Sequence, residues 1–204
     1  MNIVFDFGGV LFRWRPHEFM ARLLPHRAPD EAAAHALVAE FFESYEGDWG
    51  EFDRGMISAP HLARRIARRT GIALADVHRV IDAVPVELQP VPETVALATR
   101  LRDRGHRLFF LSNMPAPYAD HLEATHEFLA AFDDGVFSSR VKLVKPDAAI
   151  FREAARRFRV EPTDTLFIDD HAPNIATARS LGWHALHFLS PEGCEADLCE
   201  RGLV

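Results

Sequence analysis

Four short stretches of this chain carry side chains that could do chemistry together. The first is Asn2-Ile3-Val4-Phe5-Asp6-Phe7-Gly8-Gly9-Val10-Leu11, an apolar run that delivers one carboxylate and then two glycines. Gly8 and Gly9 let the backbone turn sharply and approach a ligand, which leaves Asp6 facing a crevice. The second, Ser112-Asn113, ends another apolar run with a hydroxyl and an amide that can hydrogen-bond an oxyanion without adding charge. In the third, Lys145 precedes Pro146 and is held extended, able to point an ammonium at a bound anion; Lys142 competes for that role. The fourth closes Thr165-Leu166-Phe167-Ile168 with Asp169 and Asp170, adjacent carboxylates that repel unless a cation or hydrogen bonds compensate. Hard oxygen ligands beside a phosphate suit Mg2+. Asn174, at the start of the following helix, is placed to orient a carboxylate or the lysine.

Each stretch has a plainer reading. An Asp before two glycines makes a turn, Ser112 to Pro115 reads as a turn and helix cap, and a lysine before a proline decorates a surface. A helix cap accounts for one of the paired acids, but not for both. What favours chemistry is that three of the four polar sites close a buried apolar strand.

The elements that must position these groups alternate along most of the chain. Ile3 to Phe5, Arg107 to Leu111, Val136 to Phe137, Thr165 to Ile168 and His184 to Phe188 read as strands. Helices are expected over Glu93–Arg104, Pro117–Ala131, Asp147–Phe158 and Ala172–Leu181. Such alternation predicts an α/β fold, a doubly wound parallel sheet built from right-handed crossovers. Between Trp14 and Val84 the pattern is helical only, over 17–24, 30–45, 59–70 and 74–84, so this block reads as an insertion. Pro85, Pro90 and Pro92 are expected to end it in a linker. The predicted division is a core of 1–15 and 86–204 with a helical cap domain over 16–85. Within it, Glu46 to Gly55 reads as a helix-breaking loop able to close over the crevice, hinged near Arg13 and Trp14.

Composition narrows the partners. With 204 residues, 48% hydrophobic content and a net charge of −7, the chain suits a globular domain and not a nucleic-acid binder. Arg64, Arg65, Arg68 and Arg69 cluster at the spacing of a helix's wet face. Cys194 and Cys199 lack metal-ligand spacing and suit a reducing compartment. The opening residues read as strand and not as a signal peptide, and no apolar run is long enough to span a bilayer. A cytoplasmic monomer or homodimer with no membrane partner is expected.

The ordered set of strand-Asp, strand-Ser, Lys-Pro and strand-Asp-Asp resembles the haloacid dehalogenase-like (HAD) hydrolase superfamily over nearly the whole chain. The inserted helices resemble the cap of its capped subfamily I. Asp6-Phe7-Gly8-Gly9-Val10-Leu11, Leu111-Ser112-Asn113 and Ile168-Asp169-Asp170-His171-Ala172-Pro173-Asn174-Ile175 look most like its alpha-glucose-1-phosphatase-like branch. The resemblance implies hydrolysis of a small phosphorylated metabolite, with sugar phosphates among the candidates, through an aspartyl-phosphate. It makes Asp6 the nucleophile, and Ser112 and Lys145 the phosphate holders, with Gly8, Gly9 and Asn113 lining the substrate site. Asp6, the Gly8 carbonyl and Asp170 become Mg2+ ligands, with Asp169 direct or through water and Asn174 behind them. One position departs. Relatives with phosphatase activity typically carry a second Asp two residues after the nucleophile as general acid and base, and here that residue is Gly8. Its loss is expected to slow release of alkoxides by about 10²- to 10⁴-fold. A water, His171 or a cap residue is left to take its place. Two other readings fit Gly8: a 2-haloacid dehalogenase, which attacks carbon, and a non-catalytic phosphometabolite binder.

Overall fold

A computed structural model describes the whole chain, residues 1–204. In chain order the elements are β1 (Asn2–Phe5), α1 (Pro16–Leu23), α2 (Glu31–Phe42), α3 (Gly47–Asp53), α4 (Ala59–Thr70), α5 (Leu74–Glu87), α6 (Pro92–Asp103), β2 (Arg107–Ser112) and α7 (Ala116–Thr125). Then follow β3 (Asp134–Phe137), α8 (Ser138–Val141), α9 (Ala148–Phe158), β4 (Thr165–Asp169), α10 (Ala172–Ser180), β5 (His184–His187) and α11 (Pro191–Glu200). The five strands pair in the order β3-β2-β1-β4-β5, all parallel, which is the predicted α/β architecture.

The apolar runs predict this sheet because a strand covered on both faces needs no polar alternation. Ile3, Val4 and Phe5 are fully buried. Alternate strand residues feed separate cores. Val4, Phe109, Leu111 and Phe167 pack with Ile150, Phe151, Ala154 and Ile175 of α9 and α10. Ile3, Phe5, Leu108, Phe110 and Ile168 join a larger core that continues into the helical block through Phe19, Phe41, Phe42 and Trp49. The chain leaves β1 toward β2 on one side and later returns to β4 on the other. Ligands bind at this kind of switch point, outside the carboxyl ends of the strands.

Four expectations are corrected. The prolines do not stop the helical block at 84, because α5 continues through Pro85 to Glu87. Proline there removes the N–H that would bond the carbonyl of Ile81. Tyr118 replaces it, its hydroxyl donating to Ile81 O at 2.7 Å. Nor is Glu46 to Gly55 a loop: residues 47–53 form α3, with Trp49 and Phe52 buried. Trp49 meets Phe42 at 4.5 Å between ring centroids and Phe52 meets Tyr118 at 5.6 Å, so tertiary packing overrides the glycines. Gly50 serves close approach, since a Cβ there would lie 2.9 Å from the Tyr45 carbonyl oxygen. The helix expected over 117–131 breaks at His126, and that expected over 30–45 ends at Phe42, each followed by a short 3-10 turn. The sequence reading also passed over α8 and α11. Arg65 and Arg69 of α4 form ion pairs with Asp48, Glu51 and Glu43, which ties α3 down. No helix is long and apolar enough to cross a membrane.

Tyr118→Phe should therefore strand the Ile81 carbonyl and cost about 1–3 kcal/mol in denaturant unfolding. Pro85→Ala restores the missing N–H, so the same Tyr118→Phe change should cost clearly less in that background. Equal costs in the two backgrounds would show that the hydroxyl does not stand in for the amide.

Candidate active site

The parallel strands end side by side, which brings Asp6 after β1, Ser112 of β2 and Asp169 of β4 to one rim. The Asp6 N–H continues the ladder to Ile168 O at 2.9 Å, so the nucleophile candidate is fixed one residue beyond the strand. Lys145 comes from the segment between α8 and α9, after β3. Its ammonium lies 2.8 Å from Asp6 Oδ1 and 2.6 Å from Asp169 Oδ2, buried with both. Lys142 is excluded from that role: it is exposed and donates to Gly55 O at 2.7 Å.

The remaining polar groups hold this centre still. Asn113 lines the cavity, but both ends of its amide are engaged by the Lys145 backbone, donating to Lys145 O at 2.9 Å and accepting from Lys145 N at 2.8 Å. This two-point clamp sets the lysine's position from the cavity wall. Asn174 Nδ2 donates to both Asp169 oxygens, at 2.9 and 3.0 Å, and the His171 N–H donates to Oδ1 at 2.8 Å. Asp169 is thus saturated by protein donors. His171 itself is exposed.

Oxygen atoms of Asp6, Asp169 and Asp170 all lie within 4.8 Å of one another. Three carboxylates face one ammonium, which leaves an excess of negative charge. Burial pushes Asp6 up to about 7 against the pull of Lys145, and the charges of Asp169 and Asp170 add to the rise. Asp170 is raised as well, by burial and by Asp169. Burial opposes the charge on Lys145, yet Asp169 and Asp6 together hold its pKa above the ordinary value. A hard divalent cation would supply the missing positive charge, and the donors present are hard oxygens. Gly8 lines the same cavity, and its carbonyl accepts no backbone hydrogen bond. Gly9 has φ +79°, and a Cβ there would fall 2.2 Å from Asp170 Oδ2, so only glycine lets that carboxylate lie against the turn. The residues fit Mg2+.

The rim opens into a cavity of about 660 Å³. Its walls include Asp6, Gly8, Ser112, Lys145 and Asp170 from the strand ends, and Tyr45, Trp49, Asp53 and Arg54 from the helical block. Trp14, at the expected hinge, also lines it and donates from Nε1 to Tyr45 Oη at 2.8 Å. Asp53 was not singled out from sequence. It is one of several acids in the 46–55 segment, and only burial separates it from Asp48 and Glu51.

The haloacid dehalogenase-like hydrolase family profile matches residues 1–182. The chain belongs to that family. A sesquiterpene phosphatase of Aspergillus oryzae is 24% identical over 185 residues, 90% of this chain and 87% of the relative. Among solved structures, a HAD family enzyme of Bacteroides thetaiotaomicron, in complex with magnesium and inorganic phosphate, superposes with TM-score 0.71 at 20% identity, covering 91% of this chain and 92% of that one. An L-2-haloacid dehalogenase of Xanthobacter autotrophicus with covalently bound chloropropionic acid superposes at 0.65 and 16% identity, covering 100% and 84%. At those identities the two structures share the HAD fold with this hydrolase.

Because the folded pKa of Asp6 lies above its ordinary value of 3.8, its ionisation destabilises the fold progressively as pH rises from about 4 to about 7. Without metal at pH 8, Asp6→Asn is expected to raise the thermal midpoint above wild type, while added Mg2+ raises wild type more than the variant. A metal-free variant that melts below wild type would contradict the charge imbalance. Gly9→Ala should displace the Asp170 carboxylate and blunt the Mg2+-induced shift; an unchanged shift would remove Asp170 from the cation site.

Proposed function

We propose that this HAD-family hydrolase cleaves small phosphate monoesters through an aspartyl-phosphate on Asp6, in the manner of the alpha-glucose-1-phosphatase-like branch. The observation that carries this reading is the cluster of Asp6, Asp169 and Asp170 around Lys145 at the strand ends. In this scheme an Asp6 oxygen bonds to phosphorus as the ester oxygen departs, and water then cleaves the acyl phosphate, so two easier displacements replace a hard one. Ser112 and the Lys145 ammonium hold the phosphoryl oxygens, and Asn113 fixes the lysine. Asn174 fixes Asp169, which in turn anchors the lysine. Asp6, Asp170 and the Gly8 carbonyl are the proposed holders of Mg2+, with Asp169 behind them. Bound there, the ion would screen the repulsion between the carboxylate nucleophile and the anionic ester.

Residues 16–85 are the proposed cap, choosing substrate through Tyr45 and Trp49, which share the cavity wall with Trp14 and Tyr118 of the core. Their flat faces suit a ring-shaped leaving group, which makes sugar phosphates the first class to assay, and terpenoid phosphates the next, given the Aspergillus oryzae relative. The free Cys194 and Cys199 suit a reducing, cytoplasmic setting. The dehalogenase reading is weaker because attack at carbon gives no use to a third carboxylate beside the nucleophile.

With Mg2+ present, the protein is expected to release phosphate from p-nitrophenyl phosphate and from at least one ester of these classes. Asp6→Asn should abolish turnover while leaving the fold intact. Metal-independent chloride release from 2-chloropropionate, with no phosphate release from any ester, would replace this reading with the dehalogenase one.

A further inference from the structure

Alkyl phosphates need a proton on the departing oxygen, and Gly8 has no side chain to give one. The space beside it is open, since a Cβ at Gly8 would meet nothing nearer than Trp14 Cβ at 3.9 Å. The same cavity holds another acid. Asp53, the last residue of α3, is 3% exposed and lines the cavity together with Asp6, Ser112 and Lys145. No protein donor or cation bonds its carboxyl, and beyond α3 its backbone carbonyl accepts from Ser138 Oγ. A carboxylate shut away without a donor is costly, whereas a neutral carboxylic acid is tolerated and still has a proton to give. Burial pushes Asp53 well above the usual carboxylate range, against the pull of Arg54 and Lys145 and with the charge of Asp6 adding to the rise.

The segment carrying Asp53 is fastened to the rim at three points. Ser138 Oγ donates to Asp53 O at 2.6 Å and accepts from Met114 N at 2.8 Å. Lys142 Nζ donates to Gly55 O at 2.7 Å, and Arg54 Nη2 meets Asp147 Oδ2 at 3.3 Å. The anchors follow β2 and β3 and flank Lys145, so the chain that positions the phosphate holders also positions this acid.

Resting on the phosphatase reading above, we infer that Asp53 is the general acid and base of this enzyme, supplied by the helical block in place of a side chain at Gly8. As an Asp6 oxygen bonds to phosphorus, the bond from phosphorus to the ester oxygen breaks. Its electron pair stays on that oxygen, which takes the Asp53 proton and leaves as an alcohol. In the second step a water oxygen bonds to phosphorus while its proton passes to the Asp53 carboxylate. The acyl-phosphate bond then returns its electrons to Asp6, releasing inorganic phosphate and leaving both acids as they began.

The test compares kcat/KM for p-nitrophenyl phosphate and for an alkyl phosphate, because kcat/KM reports the steps up to departure of the leaving group. Nitrophenolate leaves without a proton, so in Asp53→Asn the aryl-to-alkyl ratio should rise by about 10²-fold or more over wild type. Adding Gly8→Asp to that variant should return the ratio toward the wild-type value. A proportional fall on both esters, with the ratio unchanged, overturns the inference while leaving the phosphatase reading standing. Wild-type enzyme gives an arm that needs no variant: across a series of aryl and alkyl esters, kcat/KM should depend only weakly on leaving-group pKa, and a steep dependence also overturns the inference. A wild-type enzyme that releases phosphate from no ester overturns both readings together.

Discussion

An ammonium buried between two carboxylates governs this molecule. Lys145 sits 2.8 Å from Asp6 and 2.6 Å from Asp169, and none of the three has water enough to screen it. Taking such charges out of solvent costs several kcal/mol per ion, and only close geometry and further hydrogen bonds recover it. The clamp from Asn113, the two bonds from Asn174 and the His171 N–H meet that requirement. A parallel sheet is what makes the meeting possible, since it ends β1, β2 and β4 on one side, and the turn beyond β3 swings the lysine in from the flank. Even so, one cation faces three acids, so the site is short of positive charge by design of its backbone and not by accident of a flexible side chain.

The helical block is bound to this rim by contacts of unequal strength. Arg54 and Asp147 are both half-exposed, and such a pair contributes about 0–1 kcal/mol. The Ser138 and Tyr118 hydroxyls are buried, so breaking either bond leaves a backbone carbonyl without a partner. Apolar packing runs on from the sheet into Phe41, Phe42 and Trp49. Motion of the block against the core therefore has to exchange buried hydroxyl contacts, a stiffer joint than a surface ion pair would make.

How much of this was legible in the sequence follows from which forces are local. Buried parallel strands advertise themselves as unbroken apolar runs, so Asp6, Ser112 and Asp169 could be placed at strand ends from residue types alone. The neighbours of Pro85 could not be read, because the group that rescues Ile81 O is Tyr118, distant in sequence. Residues 47–53 look like a loop by propensity and become helical only because Trp49 and Phe52 have aromatic faces to cover. Lys142 and Lys145 are equivalent on paper; the fold separates them by sending one to Gly55 O and the other between two acids. Asn113 reads from sequence as an amide at a strand end, and only the fold shows that it also clamps the lysine backbone.

Asp53 shows the same limit from the side of function. An acid anchored on the turn after β1 would be held by local geometry whatever the helical block did. One carried at the end of α3 is correct only when that block is seated on Ser138 and the segment around Lys142. Under the proposed role for Asp53, leaving-group protonation would be coupled to closure of the cavity: a seated block holds this acid in the space shared with Asp6 and limits the bulk water that could compete as proton donor. Gly8 gives that arrangement room. A carboxylate at that position would add a further negative charge beside Asp6, where the balance is already unfavourable. Placing the proposed proton donor across the cavity, on a buried stretch of α3, leaves the surroundings of Asp6 less crowded with charge.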